Sequence, residues 1–257
     1  MPESSWEHAL ASATLVGVRV SMLMIFAPFF NHAAVPARVK VGITLALTTL
    51  LFPVCAPTRL PEITALSLAK IVGGEALAGL LLGLSVQFVF EAGQMAGQIL
   101  GIQMGYGLVQ LLDPQTQVDT TVMALFQQLL AMLVFLQLNV HHWLLRGVAS
   151  SFAYLPAGTV ALHMGTVEEI LRASGGLWLA GLQIAAPVLF ATVLADLALG
   201  FFAKASPQLP VLLLGISIKG ALGLAILAAC LVFWPGFLEH QFAAALLLGE
   251  RWLHLAR

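Results

Sequence analysis

The side chains with acid–base or metal-binding chemistry are too scattered along the sequence to predict a reactive site. His141 and His142 are adjacent, whereas two histidines that bind zinc from one helix stand four residues apart. No carboxylate follows them within a turn, so we interpret them as histidines at a membrane interface. Asp113 and Asp119 have no third acidic residue close by. The sequence therefore predicts no catalytic residue, no metal site and no bound cofactor.

Short enzyme motifs do not change that prediction. Neither the phosphate-loop pattern Gly-x-x-x-x-Gly-Lys-Ser/Thr nor the nucleophile pattern Gly-x-Ser-x-Gly occurs in the sequence. Glu168, Glu169 and Arg172 fall within one helical turn, which is typical of a solvated face with a weak surface ion pair. We do not expect an enzyme.

The composition indicates a membrane protein. Of the 257 residues, 60% are apolar and 9% are charged, against about a quarter charged in a soluble domain. This excludes a soluble enzyme, a disordered chain and a nucleic-acid-binding protein. The formal net charge of -1 steers neither acidic nor basic partners. Cys55 and Cys230 lie far apart at the ends of apolar runs and are expected to be buried thiols.

Apolar runs of membrane-spanning length predict an all-α fold of about six long helices arranged in hairpins. A helix needs about 20 apolar residues to cross a bilayer, and an open strand in lipid would leave its backbone unpaired. Lys and Arg in the loops barely orient the chain, and the acidic segment Met1 to His8 predicts no cleavable signal peptide. The runs are Ala9 to Phe30, Ile63 to Phe90, Val122 to Val140, Leu177 to Leu199, Val211 to Trp234 and the shorter Val41 to Cys55.

Breaks between the runs are predicted where proline and glycine cluster. Pro156-Ala157-Gly158 and Ser174-Gly175-Gly176 are expected to bracket a more polar middle segment. Five charged residues instead fall inside apolar runs, where each costs about 2.5–3.5 kcal/mol unless it has a partner or faces water. We expect Asp196 and Lys219 to pair with each other across a hairpin. For Arg19, a residue of a neighbouring chain is an alternative partner. These predicted buried charges are Arg19, Lys70, Glu75, Asp196 and Lys219.

A glycine stripe marks the segment before the middle of the chain. Gly93, Gly97, Gly101 and Gly105 recur every four residues, and Gln94 and Gln98 run beside them together with Gln87 and Glu91. Glycine stripes allow another backbone to approach closely. The pattern fits either ordinary helix packing or a helix at a pore or subunit interface.

The glycine stripe leads into the segment from Gly105 to the Asp113-Pro114 turn. The residue before a proline is pushed out of helical geometry. Non-helical backbone at membrane depth survives only inside protein or beside water. A loop at a pore and an ordinary surface connection are both compatible with this segment.

Taken in order, the landmarks of the chain resemble the FliR family, the flagellar counterpart of the SctT subunits of type III secretion systems. Each landmark is weak alone, but their order and spacing fit over nearly the whole chain. They are Arg19, Pro28, Pro36-Ala37-Arg38-Val39-Lys40, Gly97 to Gly105, Asp113-Pro114, His142-Trp143-Leu144-Leu145, Ser151 to Gly158, Ala186-Pro187-Val188, Leu197-Ala198-Leu199-Gly200 and Ser206-Pro207-Gln208-Leu209.

The resemblance implies a subunit of the flagellar export gate in the bacterial inner membrane and basal body, which passes unfolded flagellar proteins out of the cytoplasm. It implies a hetero-oligomeric ring with FliP and FliQ subunits, an associated FlhB, and contact with membrane lipid. The chain would consist of a FliP-like part, residues 1–176, and a FliQ-like hairpin, residues 177–257. The glycine and glutamine stripes would then lie at subunit interfaces.

The resemblance also implies a pore plug in the loop before the Asp-Pro turn. Leu108 and Leu111 stand where family members often carry phenylalanines, so the plug would be aliphatic here. Its residues would be Tyr106, Gly107, Leu108, Val109, Gln110, Leu111, Leu112 and Asp113.

Three other kinds of protein are compatible with an apolar multi-helix chain. A self-contained secondary transporter would show related halves with matched helix interruptions, and we find none in the sequence. An intramembrane enzyme would need a converging catalytic set. A passive scaffold would tolerate changes at Leu108 and Leu111. The ordered resemblance favours the export gate over all three.

Overall fold

In the computed structural model, the described residues are 4–31, 35–55, 65–107, 120–156, 158–161, 163–206, 208 and 211–256. These residues form helices joined by turns and contain no strand, which confirms the predicted all-α class. The helices are α1 (Ser4–Phe26), α2 (Pro28–Asn31), α3 (Ala37–Cys55), α4 (Ala65–Gln103), α5 (Val122–Gln137), α6 (Val140–Tyr154), α7 (Met164–Ala205), α8 (Val211–Cys230) and α9 (Trp234–Leu255).

Two helices are much longer than the apolar runs that predict them. Helix α4 has 39 residues and continues through the glycine and glutamine stripes. Helix α7 has 42 residues and continues through Ser174-Gly175-Gly176, so the break predicted there is wrong. A glycine inside a helix costs only about 1 kcal/mol relative to alanine. Breaking the helix would cost more, because it would leave several backbone groups without partners.

Two apolar runs are interrupted within their predicted bounds, one just before Pro28 and the other without a proline. The first run contains a bend at Ala27, between α1 and α2. The run from Val122 to Val140 is interrupted by a turn before α6, where Asn139 has a φ of 54°. The Asn139 carbonyl accepts hydrogen bonds from the backbone N–H groups of His142 and Trp143. Asparagine tolerates this left-handed conformation better than most residues, which explains how the chain turns there without glycine.

Three helical segments are long and apolar enough to cross a membrane: Ala9–Phe26, Ser67–Gln103 and Met164–Ala205. Two further pairs pass the same test as bent spans, Val122–Gln137 with Val140–Tyr154 and Leu214–Cys230 with Trp234–Leu255. The described residues therefore hold three candidate spans, or five if each bent pair counts as one. The predicted sixth span, Val41 to Cys55, forms most of α3 and is not among the spans found in the described residues.

The chain forms two compact units, each built from separate stretches of sequence. Unit 1 comprises Met1–Phe88, Phe135–Ser174 and Gln241–Arg257. Helices α1 and α3 pack together in this unit. Val16, Val20 and Leu23 are fully buried on α1, as is Trp252 on α9. The ring of Trp252 meets Phe88 edge-on, with 6.0 Å between the ring centroids.

Unit 2 comprises Val89–Val134 and Gly175–His240. Its core joins the C-terminal half of α4 to parts of α5, α7, α8 and the start of α9. The division of the chain after residue 176, which the resemblance implies, stays a prediction. The buried core residues are Ala96, Leu100, Met104, Met123, Ile184, Ala185, Val188, Leu227 and Trp234.

Candidate functional site

A fully buried ion pair lies between α1 and α4 in unit 1. Arg19 Nε donates to Glu75 Oε2 at 2.8 Å. Both side chains have no solvent exposure. Taking two charges out of water is expensive, and the cost is recovered only if the remaining donors and acceptors are also satisfied.

The remaining polar atoms of the pair bind residues at the end of α6 and just beyond it. Arg19 Nη1 donates to Ser151 Oγ at 2.7 Å, and Nη2 donates to the Leu155 carbonyl at 3.2 Å. The guanidinium carbon lies 3.8 Å from the centre of the Phe152 ring, a cation–π contact. The other Glu75 oxygen accepts the backbone N–H of Gly158 at 3.0 Å. This set, which we call the Arg19 network, links three segments distant in sequence.

Glycines on α4 bring the two helices close enough for the Arg19 network to form. A Cβ added at Gly79 would collide with the Arg19 carbonyl, and one added at Gly83 would lie 2.7 Å from Phe26 Cβ. Gly158 has a φ of 87°, a conformation that favours glycine. Its N–H can therefore point at Glu75 from a tight turn.

The five predicted buried charges have different environments in this chain. Arg19 and Glu75 are buried and paired with each other, so Arg19 does not need a neighbouring chain as its partner. Lys70 is exposed on α4. A charged residue inside an apolar run is therefore not always buried, because one face of each helix can lie at the surface of the chain. Ser151, Leu155 and Gly158 were not predicted as partners, although they lie within one landmark of the family resemblance.

A polar trio on unit 2 contains the other two charges. Lys219 Nζ lies 2.9 Å from Asp196 Oδ1, the pairing predicted from the sequence. Gln103 Nε2 donates to Asp196 Oδ2 at 3.2 Å. The Lys219 side chain is 19% exposed and that of Asp196 is 45% exposed. The trio therefore joins α4, α7 and α8 at a surface of this chain rather than inside its core.

The glycine stripe on α4 is partly filled by the same chain. A Cβ at Gly97 would lie 2.6 Å from the Met123 carbonyl oxygen and 2.7 Å from the Ala124 nitrogen. A Cβ at Gly101 would overlap the side chain of Thr121. Gly93 differs, because a Cβ there would have no neighbour within 4 Å. Packing within the chain therefore explains Gly97 and Gly101 but not Gly93.

Thr121 uses the space that these glycines leave. Its hydroxyl donates to the Gly97 carbonyl at 3.1 Å and accepts the Ala124 N–H at 3.2 Å. The second bond caps the first turn of α5. The chain is thus fastened to α4 at the point where it enters α5. This contact was not predicted from the sequence, although a threonine just before an apolar run is a signal for a helix start.

The chain that leads from α4 to α5 is also held at its start, where α4 ends. Gly105 has a φ of 88°, and its N–H donates to the Ile102 carbonyl at 3.1 Å. The Gly107 N–H donates to the Gly101 carbonyl at 3.1 Å. The fully buried Met104 packs on Gly223 of α8, where an added Cβ would lie 2.7 Å from Met104 Cγ. Left-handed glycines commonly end helices in this way.

In sequence, the predicted plug lies between these two attachment points. Tyr106 and Gly107 are described and half-buried. Leu108, Val109, Gln110, Leu111, Leu112 and Asp113 lie outside the described residues. The predicted interface residues Gln94 and Gln98 are half-buried on α4.

No group of three or more histidine, cysteine, aspartate or glutamate side chains in the described part of the chain is placed to hold a metal ion. Cys55 is buried and Cys230 is half-buried, and both are free thiols. His141 and His142 lie side by side, with ring centroids 4.2 Å apart.

We predict that Glu75→Leu destabilises unit 1 because it leaves the Arg19 guanidinium buried without its counter-charge. Breaking a buried pair costs about 3–5 kcal/mol, which corresponds to a fall in Tm of roughly 10 °C. The buried Cys55 serves as the reporter in a Cys230→Ser background, because a thiol-reactive fluorophore labels it only on unfolding.

Two further variants test whether the effect of Glu75→Leu comes from the unpaired charge. Glu168→Leu changes an exposed glutamate on α7 and should leave Tm unchanged. The double variant Arg19→Met with Glu75→Leu should recover most of the loss, because it removes both charges together. An equal Tm for Glu75→Leu and Glu168→Leu would contradict the structural role of the Arg19 network.

We predict opposite effects of alanine at two positions of the glycine stripe. Gly97→Ala should lower the Tm of unit 2, since the added methyl group would press on the backbone of α5. Gly93→Ala should raise stability by up to about 1 kcal/mol through helix propensity. The Tm of unit 2 in each variant is measured by labelling of Cys230 during heating, in a Cys55→Ala background. Equal shifts at both positions would contradict the packing described for Gly97.

Comparison with known proteins assigns the chain to a family. The family described as "Bacterial export proteins, family 1" matches residues 10–245. The flagellar biosynthetic protein FliR of Escherichia coli (strain K12) is 31% identical over 226 residues, covering 88% of this chain and 86% of that protein. FliR of Pectobacterium carotovorum subsp. carotovorum is 32% identical over 226 residues, with 88% and 86% covered.

A third relative gives the same result. FliR of Bacillus subtilis (strain 168) is 31% identical over 220 residues, covering 84% of this chain and 85% of that protein. The matched region contains both the Arg19 network and the glycine stripe. The chain therefore belongs to family 1 of the bacterial export proteins, the FliR family.

Proposed function

We propose that the protein is a core subunit of the flagellar type III export gate, where it helps to form and to close the channel for unfolded flagellar proteins. The observation that carries this proposal is the similarity to flagellar FliR proteins over most of both chains. Helices long and apolar enough to cross a membrane agree with it. The gate would lie in the bacterial inner membrane, within the flagellar basal body.

Partner subunits of the FliP and FliQ type, with FlhB associated, would complete the gate. Exposed apolar side chains on α7 support a requirement for partners. Trp178, Phe190 and Phe201 are 67%, 70% and 76% exposed, respectively. Contiguous exposed apolar surface on a protein marks contact with another protein or with a membrane. Residues 177–257, which contain most of α7, would form the FliQ-like part, and residues 1–176 the FliP-like part.

The part of α4 that we assign to a subunit contact is the stretch of the glycine stripe around Gly93. Gly93 is buried, but an added Cβ there would meet no described atom within 4 Å, and Gln94 and Gln98 on the same helix are half-buried. Small residues favour close helix approach in membranes, and amide side chains can bond across such an interface. Gly97, Gly101 and Gly105 support this surface from behind by holding the chain's own neighbouring segments.

Closure of the channel would depend on the segment from Tyr106 to Asp113. The chain is held on α4 by the turn at Gly105, before this segment, and again at Thr121, after it. An apolar segment with fixed ends can block a pore by excluding water, since an apolar constriction dewets. The role of this chain would therefore be that of a gate, with energy supplied by partners or by the proton gradient.

We expect native mass spectrometry to find one copy of the chain in a large complex. The tagged protein is expressed with its genomic neighbours and purified in mild detergent. Several copies of smaller hydrophobic subunits should accompany it. The Gly93→Leu variant should weaken that complex, whereas Gly200→Leu, at an exposed glycine of α7 whose added Cβ would also meet no described atom, should not. A stable monomer or small homo-oligomer would contradict the gate and favour a self-contained transporter.

Deletion of Leu108 to Leu112 should make the assembled complex leak small ions. The deletion removes the apolar part of the plug, whereas the attachments at Gly105 and Thr121 remain. Ion flux through complexes reconstituted in liposomes measures the effect. Deletion of Pro57 to Pro61 removes the same number of residues from another predicted break between apolar runs and should cause no leak. Unchanged ion conductance after the plug deletion, in a complex of normal composition, would count against the plug assignment.

A further inference from the structure

A cavity of about 460 Å³ lies in unit 1, apart from the Arg19 network. Ligand sites in proteins commonly have volumes of about 300–1,000 Å³. Residues of α6 and α9 line most of the cavity, and Leu82 of α4 completes it. The lining residues are Leu82, Trp143, Leu144, Arg146, Gly147, Ser150, Ala243, Leu246, Leu247 and Glu250.

Most of the cavity wall is apolar and part of it is accessible. Leu82 and Leu144 are buried, whereas Trp143 is 49% exposed and Leu247 is 69% exposed. Gly147 keeps part of the wall free of side-chain bulk, since a Cβ there would meet only a Leu82 methyl group, at 3.9 Å. The wall therefore has the character of a surface for a hydrocarbon chain.

Two opposite charges line the same cavity without neutralising each other. Arg146 and Glu250 are both exposed. Within the part of the chain that the structure describes, neither forms an ion pair within 4.0 Å, either with the other or with a third residue. Ser150 donates its hydroxyl to the Gly147 carbonyl at 3.1 Å. Arg146 is thus the charged donor, and Glu250 the charged acceptor, left for a ligand.

We propose that this cavity binds a phospholipid with a zwitterionic, amine-bearing headgroup, such as phosphatidylethanolamine. The Arg146 guanidinium bonds the phosphate, a pairing that its planar donor geometry favours. Glu250 accepts the headgroup ammonium, and an acyl chain covers Leu82, Leu144 and Leu247. Trp143 lies at the rim, as tryptophans do at the headgroup level of membranes.

Separated charges of both signs favour this occupant over one of a single charge. An anionic lipid such as phosphatidylglycerol satisfies Arg146 but leaves Glu250 facing a negative headgroup. A helix of another subunit is the remaining alternative, and the experiment distinguishes it. The proposal requires only that unit 1 lies in a membrane, so its failure would leave the export-gate proposal intact.

Lipid binding is measured on the co-expressed, purified complex after detergent removes its native lipid. Equal amounts of phosphatidylethanolamine and phosphatidylglycerol with identical acyl chains are added, and retained lipid is read by native mass spectrometry. The wild-type protein should prefer phosphatidylethanolamine. Arg146→Gln should weaken retention of both lipids by about tenfold, because the phosphate is common to them. Glu250→Gln should remove the preference while retaining phosphatidylglycerol.

Further variants separate the cavity from the general surface. Gly147→Leu fills the cavity and should abolish retention, whereas Gly165→Leu, on α7 in unit 1, places the same side chain in open space and should not. Arg172→Gln removes a 79% exposed charge outside the cavity and should change nothing. Labelling of Cys55 on heating verifies that each variant is folded. If Gly147→Leu does not fold, the charge variants Arg146→Gln and Glu250→Gln test the lipid site.

Three results would overturn the proposal. The first is that the wild-type complex retains neither lipid. The second is that Glu250→Gln weakens retention of both lipids equally. The third is that a photocrosslinker coupled to the cysteine of Leu247→Cys attaches to another protein subunit instead of lipid. The last result would identify the cavity as a helix-docking groove.

Discussion

Burial of Arg19 and Glu75 fixes how α1, α4 and the end of α6 pack in unit 1. In a chain this apolar, many pairs of helix faces bury similar area, so hydrophobic contact alone selects poorly among them. An unpaired charge in the same place costs several kcal/mol. The packing seen here satisfies both carboxylate oxygens of Glu75 and directs Arg19 to Glu75, Ser151 and Leu155. Sliding or rotating either helix would break these bonds, so the pair specifies the packing.

The second constraint on helix packing is close contact between backbones. In both units, glycine residues make this contact possible. Gly79 and Gly83 let α1 approach α4 in unit 1, while Gly97 and Gly101 let the start of α5 approach α4 in unit 2. Helices surrounded by lipid gain little from burying apolar area, because lipid is as apolar as leucine. They gain instead from dispersion contacts and from short polar bonds such as Thr121 to Gly97. One long helix thus carries the packing signals of both units.

The sequence predicts what depends on composition and local pattern. The all-α class, the apolar segments and the pairing of Asp196 with Lys219 all follow from residues close in sequence or on successive runs. The partner of Arg19 could not be predicted in this way, because Glu75 lies on another helix 56 residues away and the contact depends on helix rotation. The continuous α7 was missed for a different reason. Local glycine signals at Gly175 and Gly176 are weaker than the cost of leaving a helix backbone unpaired.

The polar trio gives the surface of unit 2 a chemistry that lipid alone would not favour. Asp196, Lys219 and Gln103 satisfy one another, yet Asp196 keeps 45% of its side chain exposed. Exposed apolar side chains surround it along α7, including Val193, Leu194 and Leu197. In hydrocarbon, an exposed carboxylate is costly even when it is paired. A neighbouring subunit that supplies polar groups opposite Asp196 and apolar groups elsewhere would remove that cost, which is the physical reason to expect this helix at a subunit contact.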